Sequence, residues 1–192
     1  MSHLHPQDET KSCYNLGAEC EKIFYEKCRD GVKLSRNRED DMRRNIDFTA
    51  TYEDGRVRTF QIKGPKQLKR SRSHPVYTTS HILVEISLRT ERDGWLFKDT
   101  VDYIVFFRKN DGVIFNFNAF KDYCVENIKW DDPPLKKQYK DYRIKLRTTN
   151  QFHEKEELSI IPIADLLPNI SHEIFEHRGL DIKTNEENWP LV

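Results

Sequence analysis

Apolar and polar residues alternate along this chain with a period that changes several times, and each change marks an element. Over residues 12–30, Leu16, Cys20, Ile23, Phe24 and Cys28 recur at helical spacing, Ser12 is placed to cap the start, and Gly31 stops the pattern; a helix is predicted. Residues 32–44 are dense in charge and read as a loop with a short strand at its start. Ile46, Phe48, Ala50 and Tyr52 then alternate with Asp47, Thr49 and Thr51, and a second alternating run, RVRTFQIK, follows the turn residues Glu53, Asp54 and Gly55; this predicts a β-hairpin. The stretch GPKQLKRSRSHP is basic and turn-rich, and SHILVEISL after it reads as a strand. VDYIVFF is a continuous β-branched and aromatic run, DG supplies a turn, and VIFNF returns as a partner strand leading into a helix over 119–127. KWDDPPLKKQYKDYR is a polar connection broken by Pro133 and Pro134, IKLRTT and LSIIPI read as edge strands, and ADLLPNI as a helical turn. The sum is an α/β (α+β) domain over 12–180 with a central mixed sheet flanked by helices, between a flexible polar arm (1–11) and a polar tail (181–192).

The hairpin's register decides whether its polar groups meet. With a two-residue turn at Asp54-Gly55, Glu53 would pair with Arg56, and Asp47 would face away from Gln61 and Lys63. With a three-residue loop closed by Gly55 in the left-handed conformation, Tyr52 pairs with Arg56 and Asp47 faces Gln61. This register also puts Ile46 and Phe48 beside Phe60 and Ile62 on the other face, so the apolar pattern and the polar cluster select it together. Carboxylate and amide oxygens on adjacent strands suit a hard cation such as Mg²⁺ or Mn²⁺, and a neighbouring lysine can stabilise charge growing on a phosphoryl oxygen. The plain alternative is a row of solvated residues on an exposed sheet face.

Composition narrows the partners. Lysine plus arginine equals aspartate plus glutamate, 32 each, so nucleic-acid binding must rest on a local patch. No stretch approaches the roughly 20 apolar residues of a membrane span, and the start MSHLHPQDETKS lacks the order of a signal peptide; a soluble, intracellular, cytoplasmic protein without membrane partners is expected. Cys13, Cys20, Cys28 and Cys124 show no metal-binding spacing and read as reduced thiols.

Ile46-Asp47 followed by Gln61-Ile62-Lys63 resembles the PD-(D/E)XK nuclease superfamily, whose signature is an acid on one strand and an acid, any residue and lysine on the next. Gly17 four residues ahead of Glu21, then Phe24, Cys28, Gly31 and Asn37, is similar to the first helix of several such families. The resemblance implies a restriction-endonuclease-like fold and a Mg²⁺- or Mn²⁺-dependent nuclease acting on DNA rather than RNA, of phage or bacterial type. It makes Glu21, Asp47, Gln61 and Lys63 the catalytic set, with Asp47, Gln61 and Glu21 on the metal. Glu19 competes with Glu21, and helical phase leaves both open. VEISL, DGWLF and VDYIVFF resemble a layout in some members that adds Glu85 and Asp102 as secondary candidates. The departure is Gln61, which stands where an acid is usual and removes a charge from the metal site. The same fold without catalysis, serving nucleic-acid binding or assembly, is therefore the alternative. Nucleases of this kind often pair to cut both strands, which allows a homodimer, although no segment marks an interface.

Lys66, Lys69, Arg70 and Arg72 follow Lys63 closely and form the expected nucleic-acid-binding stretch. His74 and His81 are read as loop residues, and Trp95, Trp130 and Trp189 as packing rather than base-stacking residues.

Overall fold

The computed structural model describes residues 7–28, 31–37, 45–69, 76–88, 92–98, 100–131, 142–148 and 155–184. Strands β1 (Val32–Ser35), β2 (Phe48–Tyr52), β3 (Val57–Lys63), β8 (Tyr103–Phe107), β9 (Asp111–Asn116) and β12 (His172–Glu176) form one sheet in the order β1-β2-β3-β8-β9-β12. It is mixed: β3 and β8 run parallel and its other neighbours antiparallel. A second sheet, β10-β11-β6-β7, joins β10 (Lys145–Thr148), β11 (Lys155–Pro162), β6 (His81–Leu88) and β7 (Arg92–Asp93). A small third one, β13-β5-β4, joins β13 (Lys183–Thr184), β5 (Val76–Thr78) and β4 (Lys66–Lys69).

Helix α1 (Gln7–Cys28) lies on one face of the six-stranded sheet, where its stripe of Leu16, Cys20, Ile23 and Phe24 packs with Phe48, Phe60, Ile62, Val105 and Phe107. Helices α2 (Trp95–Lys98), α3 (Phe117–Asn127) and α4 (Ile163–Leu166) contribute to the other cluster, where Trp95, Phe120 and Ile163 join Ile104 and Phe106 of β8 and Ile82, Val84 and Ile86 of β6. Strand β8 is thus covered on both faces, which is why its sequence is a continuous apolar run instead of an alternating one. Asn116 caps α3 by accepting the Ala119 N–H at 3.0 Å, so that helix starts at Phe117, two residues before the predicted start. No helix among the described residues is long and apolar enough to cross a membrane.

Several expectations need correction. Helix α1 starts at Gln7, so the second half of the predicted arm 1–11 is helical and Ser12 lies within the helix instead of capping it. Asp111-Gly112 belongs to β9, and the turn before it is Lys109-Asn110, closed by Arg108 donating to the Asp111 carbonyl at 2.8 Å. The start of the basic stretch forms β4 instead of loop, pairing with β5. Strand β11 is interior, between β10 and β6, pairing with β6 from Glu157 to Pro162; of the two predicted edge strands only β10 is one. The predicted C-terminal tail contains β13, which pairs in parallel with β5 through Lys183 and Thr184.

Candidate functional site

The hairpin closes through a three-residue loop. Tyr52 N–H donates to the Arg56 carbonyl at 2.9 Å, Gly55 N–H to the Tyr52 carbonyl at 3.0 Å, and Gly55 holds φ +82°, which an L side chain rarely adopts. Asp54 Oδ1 accepts the Arg56 N–H at 3.0 Å, which fixes the turn and holds the Asp54 carboxyl below its ordinary range. Phe48 pairs with Phe60 and Thr49 with Thr59, the register that the three-residue loop predicts, and the paired stretch ends at Phe48, one residue after Asp47. The ladder then changes character. Asp47 N–H donates to the Phe60 carbonyl at 2.9 Å, and Ile62 N–H donates at 2.6 Å to Asp47 Oδ2, a side-chain oxygen, at the position where a backbone carbonyl would continue the pairing.

This ending corrects one expectation. Ile46 does not stand beside Phe48, Phe60 and Ile62; it joins the opposite cluster with Trp95 and Val84. Residues 45–47 precede the strand, and Asn45 adopts φ +54°, so the strict alternation of β2 stops at Phe48.

Gln61 and Lys63 pair in parallel register with Ile104 and Phe106, so they share the face covered by the second sheet and α2. Gln61 is only 2 % exposed, and its amide oxygen has no hydrogen-bond partner. Leaving such an acceptor unpaired costs about 1–3 kcal/mol, a strain that a cation or donor would relieve. Gln61 is therefore no solvated surface residue. Lys63 is half-buried, with its ammonium 5.0 Å from the centre of the Trp95 ring.

Both helix glutamates carry an arginine. Glu21 meets Arg36 at 2.5 Å, and the Arg36 guanidinium lies over the Phe48 ring at 5.3 Å, which brings this ion pair alongside the residue after Asp47. Glu19 meets Arg178 at 3.3 Å. Phe48 packs on the α1 face of the sheet and Gln61 lies on the other, so these ion pairs do not choose between Glu21 and Glu19 as a partner of Gln61. Glu85 is half-buried on β6 between Val84 and Ile86, whose side chains enter the core, and it lines the cleft beside Lys63. Asp102 serves the fold: its Oδ2 accepts both the Thr59 N–H, at 2.8 Å, and the Thr59 hydroxyl, at 3.0 Å, tying the approach to β8 onto β3. Among the described residues no three His, Cys, Asp or Glu side chains gather as a metal-binding group.

The carboxyl ends of β3 and β8 open into a cleft of about 420 Å³, whose wall includes Gly17, Lys63, Lys66, His81, Glu85 and Trp95. Sequence reasoning missed the cleft, and His81, read as a loop residue, is the first residue of β6 and lines it. The available signal was Gly64-Pro65 ending the hairpin strand at Lys63. Of the basic stretch, Lys66 is exposed and Lys69 ends β4, while Arg70 and Arg72 lie outside the described residues, as do His74 and Trp189. Trp95 is buried against Phe106 and Phe120, and Trp130 packs on Phe97 and donates its indole N–H to the Val125 carbonyl, both as packing residues. Cys20, Cys28 and Cys124 are free thiols; burial, then the charges of Glu19 and Glu21, pushes Cys20 up to about 12, and burial, then Glu173, pushes Cys28 up to about 11. Comparison with protein-family models, curated proteins and solved structures finds no match to this chain.

Proposed function

We propose that the chain is a metal-dependent nuclease of the restriction-endonuclease-like kind that hydrolyses phosphodiester bonds, DNA in preference to RNA. The observation that carries this reading is the buried, unpartnered amide oxygen of Gln61 on the strand facing Asp47, two residues before Lys63. A neutral amide oxygen and a carboxylate fit a hard cation. Asp47 and Gln61 would hold Mg²⁺ or Mn²⁺, with Glu21 as the third ligand once released from Arg36. When bound, the cation would supply Lewis-acid activation of water and of a phosphoryl oxygen. Lys63, steadied by the Trp95 ring, stabilises negative charge on the phosphoryl group, more strongly than in bulk water because the site is half-buried. Lys66, exposed at the start of β4, continues the cationic track for the strand being cut.

A second reading has its own support. Asp47 Oδ2 already accepts the Ile62 N–H and Glu21 is ion-paired, which favours a domain of this architecture that binds nucleic acid without cutting it. The two separate on incubation of circular, linear and single-stranded DNA, and of RNA, with Mg²⁺ or Mn²⁺. The nuclease reading expects metal-dependent cleavage of DNA that Lys63→Ala and Asp47→Asn each reduce about a hundredfold or more. Cleavage untouched by both substitutions would sink it. No cleavage, with binding that weakens steeply as salt rises, would establish the second reading.

A further inference from the structure

The cleft beyond β3 and β8 brings Lys63 of the hairpin together with Lys66 and with His81, which the hairpin site does not use. Crevices beyond the carboxyl ends of parallel strands are where α/β sheets take ligands. Lys63 stands in the wall at the end of β3, Lys66 at the start of β4 and His81 at the start of β6, so three separate strands converge on one opening. Two of the three are steadied: the Lys63 ammonium by the Trp95 ring, and the His81 ring through Nδ1, 2.8 Å from the Ser80 hydroxyl. With Ser80 donating, the imidazole carries its hydrogen on Nε2 and is a donor. Among the described lining residues the only acid is Glu85. On a chain whose formal charge is zero, two lysines against one carboxylate leave a local positive charge, with His81 as a further polar group.

We propose that this cleft is a binding subsite for the phosphate monoester at the end of a nucleic-acid strand, with Lys63, Lys66 and His81 as its donors. A monoester carries about −1.5 to −2 charges at neutral pH and three acceptor oxygens, whereas an internal diester carries a single charge; several convergent donors therefore favour the end over the middle of a strand. The size agrees, since about 420 Å³ suits one nucleotide and is far too small for a duplex. Ile82 and Phe106 supply apolar wall for the sugar and base. The inference goes beyond the nuclease reading, because it concerns binding measured without a divalent cation and stands independently of cleavage.

The test is fluorescence anisotropy of short single-stranded DNA in a chelator, with 5′-phosphate, 3′-phosphate or hydroxyl ends, competed by inorganic phosphate and by a nucleoside monophosphate. A phosphorylated end should bind about tenfold tighter than a hydroxyl end. Lys66→Ala, at an exposed position that leaves the fold intact, and His81→Gln should each erase most of that difference, and Glu85→Gln should increase it. Equal affinity for phosphorylated and hydroxyl ends overturns the proposal, as does a preference that survives Lys66→Ala combined with His81→Gln. Inorganic phosphate competing as well as the nucleoside monophosphate would make this a free-phosphate site and overturn the strand-end assignment.

Discussion

The carboxylate of Asp47 accepts the Ile62 N–H just beyond the last paired residues of the hairpin, so it holds the end of the ladder besides any part in chemistry. Substitutions separate the two. Asp47→Ala strands a part-buried N–H and should lower stability by about 1–3 kcal/mol, several degrees of Tm, in a chelator. Asp47→Asn keeps an acceptor for the same N–H and should unfold within about 1 kcal/mol of wild type while losing cation-dependent activity. Thermal denaturation in EDTA checks both; an unaltered Tm for Asp47→Ala would refute the ladder role. The buried thiols act in another pH range. Cys20 and Cys28 are raised from the ordinary 9.0 to about 12 and about 11, chiefly by burial, so the folded chain keeps protons that the unfolded chain loses. Their contribution is fully present below pH 9 and is lost as pH rises through 11 and towards 12. Urea midpoints should fall between pH 8.5 and 10.5, and Cys20→Ala should flatten that fall; a slope unchanged by the substitution would show that other groups cause it.

At the scale of elements, Gly94 joins β7 to α2 and carries more than a turn. A Cβ there would collide with the backbone carbonyl of Glu85, so β6 and the start of α2 pack at glycine distance. Gly94→Ala should cost roughly 3 kcal/mol or more and displace Trp95 from the Lys63 ammonium, seen as a change in tryptophan fluorescence that precedes unfolding. An Ala variant with wild-type Tm and emission would contradict this packing. Elements with a strong period were legible in the sequence: the helical stripe from Leu16 to Cys28, the hairpin and its register, and the two-sided strand of Tyr103–Phe107. Short strands among charged residues were not. β4 and β13 have few apolar positions, and their pairing with β5 depends on partners distant in sequence. The displacement of Ile46 was hidden for another reason: a side-chain oxygen replaces a backbone acceptor at Asp47, and no alternation pattern encodes that exchange.

The whole molecule explains why the polar face of the hairpin is not plain surface. Both faces of the six-stranded sheet are covered, by α1 on one side and by the second sheet with α2 and α3 on the other, and this encloses Gln61 while leaving Lys63 at the mouth of a cleft. The sequence carried the residues of this site but not its enclosure, because covering Gln61 requires β6 and Trp95, which lie further along the chain beyond the basic stretch. A hard cation held between Asp47 and Gln61 is the centre of the proposed chemistry. Titration of Mn²⁺ into the folded chain, followed by calorimetry, tests it most directly. Wild type should bind one ion, Asp47→Asn should bind about tenfold or more weakly, and Gln61→Glu, which adds a carboxylate, should bind more tightly and recover in Mn²⁺ the stability it loses in a chelator. Mn²⁺ binding unchanged by either substitution, or absent even from Gln61→Glu, would contradict it.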